Sequence, residues 1–168
     1  MNVLAIGCHP DDVEIACAGT LAKCVKRGDR VVVCHASSGD LGHVIIPPEE
    51  LRVIRANEAK SAGALAGIEV IYGGFDDLMI FDNGKLARDK LVDVIRYANP
   101  DVIITHRTND YHADHRAAAL LVQDASYLLT VPHACPEVPA MRRMPTILYY
   151  EDAFTEPPFR MQYVVGID

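Results

Sequence analysis

A chain of 168 residues, half of them apolar, can bury one sizeable core but is too short to divide comfortably into two domains. No apolar run approaches the roughly 20 residues that span a bilayer, which argues against a membrane segment. The formal net charge of −7 is spread along the chain, and Lys and Arg never form a run that would track a phosphate backbone, which argues against nucleic acid as a partner.

The segment from Met1 to His9 is apolar without a basic leader or a small-residue cleavage site, so it reads as a first strand and not as a signal peptide. Five cysteines (Cys8, Cys17, Cys24, Cys34, Cys135) show no CxxC spacing, and four of them fall in apolar segments, where cysteine behaves as a small core residue. Both features lead us to expect a reducing, cytoplasmic location.

Asn2–Gly7 is a continuously apolar run and predicts a strand. Val13, Cys17, Leu21 and Cys24 follow at three- and four-residue spacing and predict a helix that ends near Gly28. Val31–Cys34 is a second β-branched run. Pro47-Pro48-Glu49-Glu50 then opens a helix carrying Leu51, Ile54, Ala59 and Ala62, which Gly63 and Gly67 weaken and end. Glu69–Tyr72 predicts a third strand and Arg88–Ala98 a helix, with Pro100 breaking the chain before the buried-type strand Val102–Thr105. Asp114–Leu129 is helical by pattern and Thr146–Tyr150 is a further strand, whereas Pro132–Pro145 and Pro157-Pro158 read as loops.

Apolar strands alternating with amphipathic helices bury both faces of a parallel sheet. The expected fold is therefore α/β: a Rossmann-like three-layer structure with a mostly parallel central sheet, residues 1–168 forming one domain. In such a sheet the segments after each strand, including Gly39–Pro48 and Gly73–Gly84, gather at the carboxyl edge where ligands bind.

Two acid–histidine clusters occupy that edge. His9-Pro10-Asp11-Asp12 lies between the first strand and first helix; Asp110-Tyr111-His112-Ala113-Asp114-His115 follows the strand Val102–Thr105. Asp12 alone is explained by helix capping, and Asp114 could cap the helix before Arg116, but capping explains neither His9 nor the second acid, Asp11. If the clusters meet, His9, Asp12 and His115 supply two nitrogens and one oxygen, which suits a catalytic zinc with an open position.

The paired clusters resemble the signature of the zinc-dependent de-N-acetylases of the LmbE-like or PIG-L family, a strand ending in His-Pro-Asp-Asp with a distant His-Pro-Asp-His. The similarity extends through Gly19-Thr20-Leu21, Ser38-Gly39-Asp40-Leu41-Gly42 and Arg55-Ala56-Asn57-Glu58-Ala59, so that it covers nearly the whole chain; Ala113 departs from the usual proline. The resemblance implies a divalent ion on His9, Asp12 and His115, zinc first but iron, cobalt or nickel also able to occupy such a donor set. It implies Asp11 as general base, His112 as oxyanion stabiliser and Asp114 as the group that orients His112 and favours its imidazolium. Arg55 would reach toward substrate, and Asp40, Asp76, Asp77 and Asp110 are acidic loop residues at the same sheet edge, suited to gripping sugar hydroxyls. Tyr111 could wall the pocket, while His35, His43, His106 and His133 are read as structural.

The implied reaction is removal of an acetyl or other acyl group from the amine of an N-acetylglucosamine-like sugar or sugar conjugate, a small-molecule substrate, by a homo-oligomeric enzyme. A metal-binding protein of the same fold without hydrolytic activity is one rival, and a hydrolase of another ester or amide bond a second. A dinucleotide-binding module is disfavoured, because Gly7-Cys8-His9-Pro10-Asp11-Asp12 places acids where a pyrophosphate would sit. Tyr163–Asp168 resembles a short strand that family members follow with further residues, so a C-terminal truncation is expected.

Overall fold

The computed structural model describes residues 1–80, 84–152 and 157–167. In chain order the elements are β1 (Asn2–Gly7), α1 (Asp12–Lys26), β2 (Arg30–Ser37), α2 (Pro48–Ala66), β3 (Glu69–Phe75), α3 (Gly84–Ala98), β4 (Val102–Thr105), α4 (Ala113–Leu128) and β5 (Thr146–Tyr149). The five strands form one sheet in the order β3-β2-β1-β4-β5, and every pairing between them is parallel. The expected Rossmann-like α/β architecture is thus present, with a described sheet that is parallel throughout.

The order dictates where a site can form. From β1 the chain winds outward through β2 to β3, then returns across the sheet to place β4 on the other side of β1, with Val3 opposite Val102 and Ile6 opposite Thr105. The strand order reverses between β1 and β4. The loops leaving their carboxyl ends diverge to opposite faces and leave a crevice between them. His9 leaves β1 at this point and His106 leaves β4.

Right-handed crossovers put helices on both faces. Leu4, Ile6, Val32, Cys34 and Ile103 pack against Leu91, Val92 and Ile95 of α3 and Val122 and Ala125 of α4. The alternate residues Val3, Ala5, Val31 and Val33 face Val13, Cys17 and Leu21 of α1. This two-sided burial explains why the strands read as continuous apolar runs. Truncating one of the fully buried residues, such as Leu4 or Ile103, to alanine would cost about 2–5 kcal/mol.

Several boundaries differ from the sequence reading. β2 and β3 run on to Ser37 and Phe75, because strand pairing carries them past the end of the apolar run, with a register shift between His35 and Ser37. α3 begins at Gly84 rather than at Arg88, its first turn carrying a Lys85–Asp89 ion pair one helical turn apart. The expected final strand is not formed over 163–167; those residues are extended without a ladder, and Asp168 lies outside the described residues. This tail instead rests on α1, where a Cβ at Gly19 would stand 2.8 Å from Ile167 Cγ2, so the glycine permits the approach. On the opposite face the buried Arg96 donates to the carbonyls of Leu128, Leu129, Val131, Cys135 and Val138, which satisfies the carboxyl end of α4 and fixes the loop after it. No helix among the described residues is long and apolar enough to cross a membrane.

Candidate active site

The turn after β1 is held by its own backbone. The His9 carbonyl accepts from the amides of Asp11 (3.0 Å) and Asp12 (3.3 Å), and the Asp12 carboxylate returns to accept from the His9 amide at 2.6 Å. Asp12 is the first residue of α1, while Asp11 at the cap position makes no side-chain cap bond and adopts φ 151°, a conformation that L-residues rarely take. The Asp11 carboxylate is half exposed. From β2, Gly39 (φ +61°) lies against Pro10, and any Cβ there would meet Pro10 Cδ at 2.8 Å.

The two clusters meet. His9 Nδ1 lies 3.3 Å from His115 Nε2 and 3.5 Å from Asp12 Oδ2, and His115 Nε2 lies 3.3 Å from Asp12 Oδ1. Donors about 2.0–2.1 Å from one tetrahedral ion stand roughly 3.4 Å from each other. The pairwise distances match that spacing, with His9 facing one Asp12 oxygen, Oδ2, and His115 the other, Oδ1. The other ring nitrogens are occupied: His115 Nδ1 faces Asp110 Oδ1 at 3.1 Å and His9 Nε2 faces Asp77 Oδ1 at 3.2 Å. Each imidazole thus has a carboxylate behind one ring nitrogen and turns the other toward the triangle, the usual support for a metal-binding histidine.

Charge in the site follows from these contacts. Burial would raise the Asp12 carboxyl, but His106, His115 and His9 outweigh it and hold it well below the usual carboxylate range. Burial would lower the His9 imidazole, yet Asp12 and Asp77 push it up to about 12. Asp110 is brought down to about 2, its burial outweighed by His106, by the His112 amide and by His115. The cluster is an electron-rich pocket that demands positive charge.

The remaining residues fall into three groups. Asp11, Arg55 and His112 line the same cavity of about 360 Å³ as the donor triangle, with Leu41, Leu51, Leu78 and Tyr111 on its walls. Arg55 Nη2 stands 2.9 Å from Asp11 Oδ2 and also reaches the Pro10 carbonyl. His112 caps α4, its Nδ1 accepting from the Asp114 amide at 3.2 Å; burial together with His115 and His9 lowers its pKa. It is therefore the Asp114 backbone, and not its carboxylate, that fixes His112, and with Nδ1 accepting, the ring is neutral and carries its proton on Nε2. The Asp114 carboxylate is buried and turned toward His9 Nε2, 3.9 Å away. An imidazolium at His112 does not fit this geometry.

Asp40 and Asp110 do not line the cavity. Asp40 is buried against Ser38 and Arg52, and Asp110 accepts from the His112 amide while facing His115 and His106. Three histidines read as structural prove to support the site's framework. His106, stacked on His115 at 3.9 Å, receives the Cys8 amide and touches Asp12 at 3.2 Å. His35 contacts the His9 carbonyl at 3.2 Å, and His43 accepts from the amides of Ile45 and Ile46 at the cavity rim. His133 is exposed. The signal for His106 was its place, the first residue after β4, which matches that of Cys8 after β1.

Comparison with known sequences and structures accords with this arrangement. The sequence profile of the GlcNAc-PI de-N-acetylase (PIG-L) family matches residues 4–126, and the chain belongs to that family. It is 28% identical over 163 residues to the uncharacterized deacetylase YaiS of Escherichia coli K12, covering 96% of this chain and 79% of that protein. It is 27% identical over 145 residues to a 1D-myo-inositol 2-acetamido-2-deoxy-alpha-D-glucopyranoside deacetylase of Acidothermus cellulolyticus, covering 68% of this chain but only 49% of the relative. Among solved structures, the conserved protein TT1542 of Thermus thermophilus superposes with a TM-score of 0.84 at 28% identity, over 99% of this chain and 72% of that one.

Proposed function

We propose that this chain hydrolyses the N-acyl amide of an N-acetylglucosamine-like sugar or sugar conjugate. The observation that carries this reading is the convergence of His9, Asp12 and His115, whose donor atoms approach pairwise to 3.3–3.5 Å through both Asp12 oxygens, opening onto a cavity that also presents Asp11. The donor set and its spacing suit zinc or a similar divalent ion, which would supply Lewis acidity that brings the pKa of a water near neutrality and polarises a carbonyl.

The chain's own residues supply the rest. Asp11 stands outside the triangle, half exposed to the cavity and paired with Arg55, so it is free to take the proton of the attacking water. Once protonated it delivers that proton to the departing amine. His112, neutral and with Nε2–H free, donates to the oxygen that gains charge as the amide carbon becomes tetrahedral. A neutral donor suits this role because it needs no proton transfer of its own. Asp110 holds His115, and the apolar wall at Leu41, Leu51 and Leu78 faces the ring of the substrate.

The test is release of primary amine from a panel of N-acetylated sugars and sugar conjugates, with and without chelator. Release that chelator does not touch, or none after metal is restored, would overturn the proposal. A protein that binds the ion without chemistry is the second reading, but it gives no reason for a second carboxylate, Asp11, to line the cavity beside Asp12.

A further inference from the structure

His9 is a ligand in this reading, and it leaves β1 as a single residue in a turn, so something must choose which of its two ring nitrogens faces the ion. Of its neighbours in the turn, Cys8 brings Sγ to 3.5 Å from Nε2, but a thiol can donate or accept weakly and so does not fix the choice. We propose that Asp77 is the positioning residue for His9: from the segment after β3 it keeps Nε2 protonated and Nδ1 turned to the donor triangle. This inference rests on the metal-site reading above and adds to it a residue from a third loop.

Four observations carry it. Asp77 Oδ1 is buried, accepts no hydrogen bond from the described residues, and stands at ion-pair distance, 3.2 Å, from His9 Nε2. The second oxygen is already committed, accepting from the Leu41 amide at 2.9 Å, so the carboxylate is held from behind and cannot rotate away. The next residue, Leu78, adopts φ +62°, an unfavourable conformation for leucine that persists only where the surroundings enforce it. The Asp114 carboxylate approaches the same nitrogen at 3.9 Å, and its Oδ2 is likewise buried without another donor. Two carboxylates on the Nε2 side favour a proton there and leave Nδ1 as the lone-pair atom.

The arrangement makes an unusual demand on substitution. An asparagine at position 77 keeps one oxygen, and the Leu41 amide, a donor that cannot change, claims it. The NH₂ group then faces His9 Nε2 and asks it to accept, which moves the imidazole proton to Nδ1 and blocks the ligand atom. The isosteric variant should therefore bind metal no better than the truncated one, the reverse of what a packing role predicts.

The experiment is zinc affinity of the metal-free protein, measured by competition with a chromophoric chelator, for wild type, Asp77→Ala, Asp77→Asn and the neighbouring control Asp76→Asn, with thermal unfolding of each apo protein recorded alongside. We expect one zinc per chain in wild type and in Asp76→Asn with affinities within twofold, and 10- to 100-fold weaker binding in Asp77→Ala. Asp77→Asn should be at least as weak as Asp77→Ala. An Asp77→Asn affinity within threefold of wild type, or clearly better than that of Asp77→Ala, overturns the positioning role while leaving the metal site standing. Wild type that binds no zinc overturns the site and the positioning role together. Should Asp77→Ala not fold, the Asp77→Asn comparison with wild type decides by itself.

Discussion

His9 Nδ1 and His115 Nε2 lie 3.3 Å apart, although 106 positions separate them in the chain. Two imidazole nitrogens cannot turn bare lone pairs on each other at that distance, so a proton or a metal ion must sit between them. Without an ion it is a proton, held on His9, whose pKa is pushed up to about 12 because Asp12 and Asp77 outweigh the effect of burial. Metal has to displace it.

The first prediction follows. Adding zinc to the metal-free protein near neutral pH should release a proton, seen as a buffer-dependent heat in calorimetry, and chelation should abolish amine release until metal is restored. His115→Ala should bind zinc at least 100-fold more weakly. Full activity of that variant with no metal present would remove the basis of the proposed reaction.

The Asp11 carboxylate pairs with Arg55 and, among the described contacts, with none of the side chains of His9, Asp12 and His115. Asp11→Asn should therefore bind zinc as wild type does and lose about 10²- to 10⁴-fold in turnover, the range for removal of a general base. Zinc titration beside a turnover assay checks both halves; a variant that still turns over at the wild-type rate would reassign the base.

Ala113 opens α4, directly after the cap residue His112, which is extended at φ −89° and ψ 134°. Proline is favoured at the first helical position and tolerates an extended residue before it. Ala113→Pro should raise stability by about 0.4–1 kcal/mol and leave zinc affinity unchanged, as denaturant unfolding and metal titration can show. A lower unfolding midpoint would mean that the loop before α4 differs from the one described.

Cys34 is fully buried in β2, and burial lifts its thiol from the ordinary 9.0 to about 12. The folded chain keeps this proton where the unfolded chain gives it up, so the thiol costs nothing below pH 9 and destabilises by about 1.4 kcal/mol per pH unit above it, until about pH 12. Urea unfolding of wild type and Cys34→Ala at pH 8 and pH 10 isolates the effect: the stability gap between them should narrow by roughly 1.4 kcal/mol. An unchanged gap would show that the thiol is not held protonated.

The fold was legible because two-sided burial writes itself as unbroken apolar runs, such as Val31–Cys34, and helices as three- and four-residue spacing, such as Val13–Cys17–Leu21. Strand ends were less so, since Ser37 and Phe75 are carried into strands by backbone pairing that side-chain pattern does not record. In the site, motif spacing pointed to His9, Asp12 and His115. It named Asp77 only as an acidic loop residue for sugar hydroxyls and not as a neighbour of His9, and it left His106 hidden as one histidine among seven. The expected partnership of Asp114 with His112 chose the right neighbours and the wrong atoms, because sequence cannot say whether a backbone amide or a side chain makes a contact.

The pairing of β1 with β4, Val3 opposite Val102, also fixes when the pocket can come into being. While the chain is being synthesised, His9 and Asp12 emerge early and must wait for about a hundred further residues before His115 exists to meet them. Closing so long a stretch is entropically costly and slow compared with the neighbouring β1–β2 contact. The nascent protein therefore passes through a stage in which its first three strands can assemble while the pocket is only half built.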